Sequence, residues 1–322
     1  MDKVIRIGTR ESQLAVWQAS LVQQQLAAHG TVAELVYIKT DGDIDLVTPL
    51  YEMGVQGVFT KTLDAALLSN RIDIAVHSMK DVPTQLAAGL QQAAVLPRAS
   101  YKDLLVYKDA GIPEQLGYKN GQWTMDHGPW TTDNSLKIAT SSIRRKAQWL
   151  HRYPQHRIEN LRGNVNTRLQ KLDENDWDAA IFAAAGLERI GLRPANSIEL
   201  DWMLPAPSQG AIMVACRQDD GHVMEACTVL NDPATALCTQ AEKDFLRVLM
   251  GGCSTPISAL AEIQGQTIAF RGNIVSLDGK EKISIELDIP INEAAGLGTT
   301  AAAQLLNKGG DAIIASIRHA GK

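Results

Sequence analysis

Residues 137–171 read KIATSSIRRKAQWLHRYPQHRIENLRGNVNTRLQK, and this stretch decides the fold. Lys137 to Thr140 has the character of a short buried strand, and Thr140, Ser141 and Ser142 supply hydroxyls suited to capping a helix. Ile143, Ala147 and Leu150 then form the apolar stripe of that helix, which puts Arg144 and Arg145 in its first turn. The pattern repeats at once. Ile158 to Leu161 is a second strand, Arg162, Gly163 and Asn164 a turn, and Val165, Leu169 and Leu172 the stripe of a second helix, with Arg168 one turn in. Near the start of the chain Val4, Ile5 and Ile7 make a strand, Gly8 and Thr9 a turn, and Arg10 with Ser12 opens a helix striped by Leu14, Trp17, Leu21 and Leu26. Three strand-turn-helix units, each with an arginine and hydroxyl or amide donors at the carboxyl end of a strand, describe a ligand crevice in an open α/β sheet.

The same stretch carries nine basic side chains against one acid, Glu159, in a chain of formal net charge -5. A run of this kind can be a solvated basic face. Here several arginines open helices, where unpaired backbone N–H groups and the helix dipole already favour an anion. Planar guanidinium groups bind carboxylates through paired hydrogen bonds, so a ligand with several carboxylates or phosphates is expected. Nucleic acid is disfavoured: the pI is near 5.8 and aromatics do not interleave with the basic residues.

At 322 residues, with 45% hydrophobic and 21% charged side chains, the chain has room for two or three globular domains. No apolar run approaches membrane-spanning length and no signal-peptide pattern opens the sequence, so a cytoplasmic protein is expected. Cys216, Cys227, Cys238 and Cys253 include no Cys-x-x-Cys pair and no histidine at ligand spacing, which predicts free thiols and no metal site. Strands at Val32–Lys39, Ile72–His77, Gln92–Leu96, Leu104–Tyr107 and Asp178–Ala184 complete an alternation that predicts parallel α/β construction. Lys108 to Ser135, with Trp123 and Trp130, interrupts it and suits an inserted hairpin; Pro205 and Pro207 mark a second boundary before the strand Ala211–Cys216. From Asp232 a capped helix with Pro233 at its first position precedes strands at Thr267–Asn273 and Lys282–Ile289, a turn at Asp278 and Gly279, and a helix near Thr299–Asn307. The expected domains are residues 1–107 with 211–230, residues 108–210, and a small α+β unit, 231–322.

Two further segments hold chemistry. His77, Ser78, Met79, Lys80, Asp81, Val82 and Pro83 follow a buried strand, placing a Lys–Asp pair at its carboxyl end, where the aspartate could steady a positive charge or move a proton. Gly251, Gly252, Cys253, Ser254, Thr255 and Pro256 free the backbone around a sulfur, suiting a packed thiol, a covalent attachment point or a nucleophile.

Seven segments carry a resemblance: Ile7–Gln18, Asp73–Pro83, Thr140–Arg145, Leu161–Leu172, Ala184–Leu192, Leu204–Arg217 and Gly251–Ile257. In this order they resemble the hydroxymethylbilane synthases, also called porphobilinogen deaminases, with the likeness running from Ile7 to about Ile263. The resemblance implies two doubly wound α/β domains like those of type II solute-binding proteins, plus a small α+β domain. It implies a dipyrromethane cofactor joined through a thioether to Cys253 and held by Ser78, Lys80, Asp81, Ser142, Arg144 and Arg145. It further implies that Arg10, Ser12, Arg162, Arg168, Arg189 and Gln209 bind porphobilinogen, and that a monomer adds four of these in turn before water releases a linear tetrapyrrole. Asp81 would be the catalytic residue, stabilising the azafulvenium cation formed as ammonia leaves. The chain departs from the usual family pattern at Asp41 and Gln56, where basic residues are common, which bears on a lid expected across Asp41–Thr60. A solute-binding protein would share the cleft but would normally carry an export signal and has no need of Gly251–Pro256, and a ligand-responsive regulator would share the fold but calls for a helix-turn-helix segment that is not apparent.

Overall fold

The structure, a computed structural model, describes residues 4–39, 60–124, 135–249 and 255–320. The first α/β unit runs β1 (Ile5–Thr9), α1 (Gln13–Ala28), β2 (Ala33–Tyr37), α2 (Lys61–Leu68), β3 (Ile74–Ser78) and β4 (Leu90–Val95). The second runs β5 (Asp103–Tyr107), α3 (Ile112–Gln115), β6 (Tyr118–Lys119), β7 (Gln122–Trp123), β8 (Lys137–Ala139), α4 (Ile143–Arg152), β9 (Arg157–Glu159), α5 (Val165–Glu174), β10 (Ala179–Ala183), α6 (Ala184–Glu188) and β11 (Ser197–Glu199). The chain then returns to the first unit with β12 (Ile212–Arg217) and α7 (Gly221–Cys227). The C-terminal unit holds α8 (Pro233–Val248), β13 (Ile257–Gln264), β14 (Thr267–Val275), β15 (Lys282–Pro290), α9 (Leu297–Leu305) and α10 (Asp311–Ala320).

Both large sheets have five strands, in the orders β2-β1-β3-β12-β4 and β11-β5-β10-β8-β9. Each is mixed, which corrects the expectation of purely parallel construction. β12 runs antiparallel to both β3 and β4, while β5 runs antiparallel to β10 and β11. β5 also corrects a boundary: the expected first domain reached residue 107, yet Asp103–Tyr107 pairs only within the second sheet. Successive side chains of a strand face opposite sides, so Leu105 packs with Trp149 of α4 and Tyr153 at its C-terminal end, whereas Leu104 and Val106 pack with Leu172 of α5 and Leu187 of α6. Helices thus cover both faces, as they do in the first unit, where Val22 and Leu26 of α1 cover one face and Leu63 and Leu67 of α2 the other.

The insertion after β5 does contain a hairpin, β6–β7, turning through Asn120 and Gly121, both at positive φ. It gives Trp123 a place. Its Nε1 donates to the Glu199 carbonyl at 2.7 Å, and its ring lies 5.1 Å from Tyr118 and 6.2 Å from Trp202. Trp130 lies outside the described residues.

In the C-terminal unit α8 and α9 pack on one face of the three-stranded sheet β13-β14-β15, with Phe245 and Phe270 at 5.2 Å between ring centroids. Asp232 caps α8 by accepting from the Thr235 N–H, and Pro233 occupies the first turn. The sequence reading had not assigned β13 or β11.

Two linkers cross between the α/β units side by side, the Ala99 N–H donating to the Gly210 carbonyl at 3.1 Å. Gly210 has φ +89°, and a Cβ there would sit 2.6 Å from the Ala99 oxygen, so only glycine fits. Glu242 of α8, fully buried, ties this crossing to the C-terminal unit. It accepts from Arg98 Nη1 at 2.6 Å, the Ser208 N–H at 2.5 Å and the Ala261 N–H at 2.8 Å.

Candidate active site

Each predicted helix start is capped by the expected side chain. Ser12 Oγ accepts from the Ala15 N–H, Ser142 Oγ from the Arg145 N–H and Asn164 Oδ1 from the Thr167 N–H. The caps fix where the arginines begin, but not how they are used. Arg144 and Arg145 are both 5% exposed and turn onto one fully buried carboxylate, Asp103, at the start of β5. Arg144 Nη2 donates to Asp103 Oδ2 at 2.7 Å and Arg145 Nη2 to Oδ1 at 2.8 Å; Arg144 Nη1 also reaches the Leu204 carbonyl and Arg145 Nη1 the Ile181 carbonyl. Burial alone would raise the Asp103 pKa, but the two guanidinium groups overrule it and hold the carboxyl well below the usual range. The two guanidinium groups therefore share one counter-ion, and a single carboxylate offsets one of their two charges.

Gln209 joins the same cluster. Its Nε2 donates to Asp103 Oδ1 at 2.9 Å and to the Tyr101 carbonyl at 2.8 Å, while its Oε1 accepts from Lys80 Nζ at 3.3 Å. The side-chain amide thus bridges a residue of the first unit to one of the second. Lys80 and Asp81 sit in the single turn after β3, at the carboxyl end of that strand as predicted. Burial draws the Lys80 ammonium down to about 8, with Asp81 pulling it back up and Arg145 adding to the fall. Arg168 is drawn down to about 10 by burial, with Arg145 and Arg162 repelling and Asp81 attracting its charge. Its Nε donates to the Gly163 carbonyl at 2.7 Å, and Arg162, the residue before Gly163, is 4% exposed.

Among the described residues this cluster gathers Lys80, Arg144, Arg145, Arg162 and Arg168 around two carboxylates, Asp81 and Asp103, leaving positive charge in excess. Arg144 Nε is buried with no hydrogen-bond acceptor. A ligand with several carboxylates suits both features. The other predicted residues lie around this cluster. Ser78 Oγ exchanges hydrogen bonds with Gln18, Arg10 is close enough for its charge to act on His77, and Arg189 Nη2 donates to the Gly210 carbonyl at 2.6 Å. Cys253, Asp41 and Gln56 lie outside the described residues. No group of three metal-binding side chains is found among the described residues, and none of their helices is long and apolar enough to cross a membrane.

Comparison with known proteins decides between the readings that this geometry allows. Residues 5–225 match the family model described as porphobilinogen deaminase, dipyromethane cofactor binding domain, and residues 236–307 match the porphobilinogen deaminase C-terminal domain. The chain belongs to the porphobilinogen deaminase family. A porphobilinogen deaminase of Syntrophotalea carbinolica is 41% identical over 320 residues, covering 98% of this chain and 96% of that protein. One of Acidithiobacillus ferrooxidans is 39% identical over 324 residues, covering 99% and 100%. A solved methionine-binding protein, MetQ, is a looser likeness, with a TM-score of 0.42 and 14% identity over 72% of this chain and 91% of its own. For the porphobilinogen deaminase family, the cofactor-domain match spans both α/β units and so contains the whole Lys80–Asp81–Asp103–Arg144–Arg145–Arg168 cluster.

Sequence reading passed over Asp103 and Glu242. Asp103 is 41 residues from Arg144, and Glu242 is 144 residues from Arg98. Neither lies in a motif that betrays its partner. The one available signal was indirect: a cationic pair opening a buried helix needs a counter-charge from somewhere.

Proposed function

We propose that the chain is a hydroxymethylbilane synthase, a transferase that joins four porphobilinogen molecules head to tail and releases a linear tetrapyrrole. The observation that carries this reading is the cationic cluster where the two α/β units meet, with positive charge in excess and a guanidinium nitrogen that has no acceptor. Porphobilinogen bears an acetate and a propionate, so each added ring brings two carboxylates to such a site.

When bound, the dipyrromethane supplies a two-ring primer whose terminal carbon accepts the first substrate unit. Arg144, Arg145, Lys80, Ser78 and Ser142 would hold its carboxylates, and Cys253 would anchor it. Ala259, six residues beyond Cys253, donates to the Pro205 carbonyl, next to the Leu204 carbonyl that holds Arg144. Six extended residues reach at most ~20 Å, so the tether can arrive at the cluster.

In each cycle the aminomethyl carbon of porphobilinogen loses ammonia, gains a carbon–carbon bond, and the attacked ring carbon gives up a proton. Asp81, whose charge acts on Lys80 and Arg168, offsets the positive charge that develops on the substrate ring as ammonia departs. Arg10, Ser12, Arg162, Arg168 and Arg189 would take carboxylates of the incoming unit. Gln209 reads better as the residue that holds Lys80 against Asp103 than as a direct substrate contact, since both ends of its amide are engaged.

The family resemblance implies that the protein acts as a monomer. The buried unpaired thiols of Cys216, Cys227 and Cys238 suit a reducing cytoplasm. The test is intact mass together with turnover. Denatured active protein should exceed its sequence mass by two linked pyrrole units on the Cys253 peptide, and Cys253→Ala should show the bare mass and no turnover of porphobilinogen. Full activity of Cys253→Ala overturns the reading.

A further inference from the structure

Three contacts cross from one face of the first turns of α1 to the second α/β unit. Asn166 Nδ2 donates to Gln13 Oε1 at 3.0 Å. Leu14 reaches Gly186 of α6, where a Cβ would lie 3.9 Å from its Cδ2. The third is the Arg189 guanidinium, which lies over the Trp17 indole at 5.7 Å from the ring centroid. Trp17 is 37% exposed, a large apolar surface left open at the junction between the two units.

Arg189 has a particular charge situation. It is half-buried, and its Nη2 donates to a neutral acceptor, the Gly210 carbonyl. The adjacent carboxylate, Glu188, is taken by Arg193 at 2.7 Å. Among the described residues no carboxylate lies within ion-pair distance of Arg189 itself, and burial draws its pKa down to about 10. A half-buried guanidinium without a counter-ion is costly and mobile unless something holds it, and an indole face attracts a cation without neutralising it.

We propose that Trp17 is a positioning residue for substrate binding: its indole holds the Arg189 guanidinium at the junction of the two units, still charged and ready for a substrate carboxylate. The inference rests on the functional reading above and deepens it. A carboxylate in place of Trp17 would fix Arg189 as firmly but would cancel the charge that the ligand needs. An aliphatic side chain would leave the guanidinium free to fold elsewhere. The Gln13–Asn166 hydrogen bond keeps α1 in register with the second unit, so the ring meets the cation at a set place.

The test is a double-mutant cycle on cofactor-loaded enzyme, with loading checked by intact mass. Trp17→Leu should raise KM for porphobilinogen about three- to tenfold, the range expected for loss of a partly exposed cation–π contact, with a smaller change in kcat. Trp17→Phe should recover most of the loss. In an Arg189→Gln background the effect of Trp17→Leu should shrink below about twofold, because nothing remains to be positioned. An unchanged KM, a fall in kcat alone, or an undiminished effect in the Arg189→Gln background overturns the proposal. Should Trp17→Leu fail to fold, Trp17→Met, which also lacks a ring face, answers the same question when measured in both backgrounds: a KM rise that persists without Arg189 counts against the proposal. The wild type separates the two readings. No turnover of porphobilinogen sinks the functional reading, whereas turnover with KM indifferent to Trp17 sinks only this one.

Discussion

Lys80 shows how one residue reports on the whole site. Its ammonium is drawn from an ordinary value near 10.5 down to about 8, mainly by burial, so it loses its proton within the working range of most enzymes. The sign follows directly. Below about pH 8 the side chain is a cation that can meet a carboxylate, and above it that attraction fades. The value for kcat/KM with porphobilinogen is therefore expected to fall as pH rises through about 8, by up to roughly tenfold per unit, since this ratio reports the free enzyme. Lys80→Arg keeps a cation throughout that range and should carry the descending limb to higher pH. An identical limb in wild type and Lys80→Arg would mean that some other group titrates there. The position of Lys80 after a buried strand was legible in the sequence, because strand, turn and proline are local signals. Its low pKa was not, since the burial and the bridge through Gln209 come from segments far along the chain.

At the scale of elements, legibility followed the length and locality of the pattern. Helices α1, α4 and α5 were readable from a cap and an apolar stripe, and all three begin where Ser12, Ser142 and Asn164 predicted. β11, with three residues, is too short to display any alternation. The strand direction in the two large sheets was also hidden, because β5 and β12 look like any other buried strand and their antiparallel pairing is a matter of topology. The packing of α9 on α8 was equally silent in sequence. Gly298 sits so near α8 that a Cβ would fall 1.9 Å from the Ala241 carbonyl oxygen. Backbone on both sides leaves no flexible neighbour to give way. Gly298→Ala should force the two helices apart and cost about 1–3 kcal/mol of stability, the usual range for overpacking. Denaturant unfolding checks this, and a variant as stable as the wild type would show that the helices part without penalty.

At the scale of the whole molecule, the three units meet at a buried junction. Arg98 comes from the first linker, Ser208 from the second, and Glu242 from the C-terminal unit. Removing one partner of such a buried pair leaves the other uncompensated, at about 3–5 kcal/mol. Glu242→Ala is accordingly expected to loosen the C-terminal unit from the rest and to split thermal unfolding, followed by calorimetry, into two transitions. One transition at the wild-type temperature would show that the units are coupled by other contacts, such as Gln148 Nε2 to Ser258 Oγ at 3.0 Å. None of this junction was visible in the sequence, for its members are unremarkable residues that gain meaning only when three distant segments converge.

The return of the chain through β12 has a consequence for how the protein is made. β4 pairs with β12 alone, and β12 lies between β3 and β4. A ribosome therefore delivers the edge of the first sheet about 120 residues before the strand that secures it, a gap of roughly ten seconds at ordinary synthesis rates. During that interval the entire second unit emerges and is able to fold while its elder neighbour waits unfinished. Nascent chains halted before Ile212 should thus keep β4 open to proteases or chaperones, and those halted well beyond Arg217 should not.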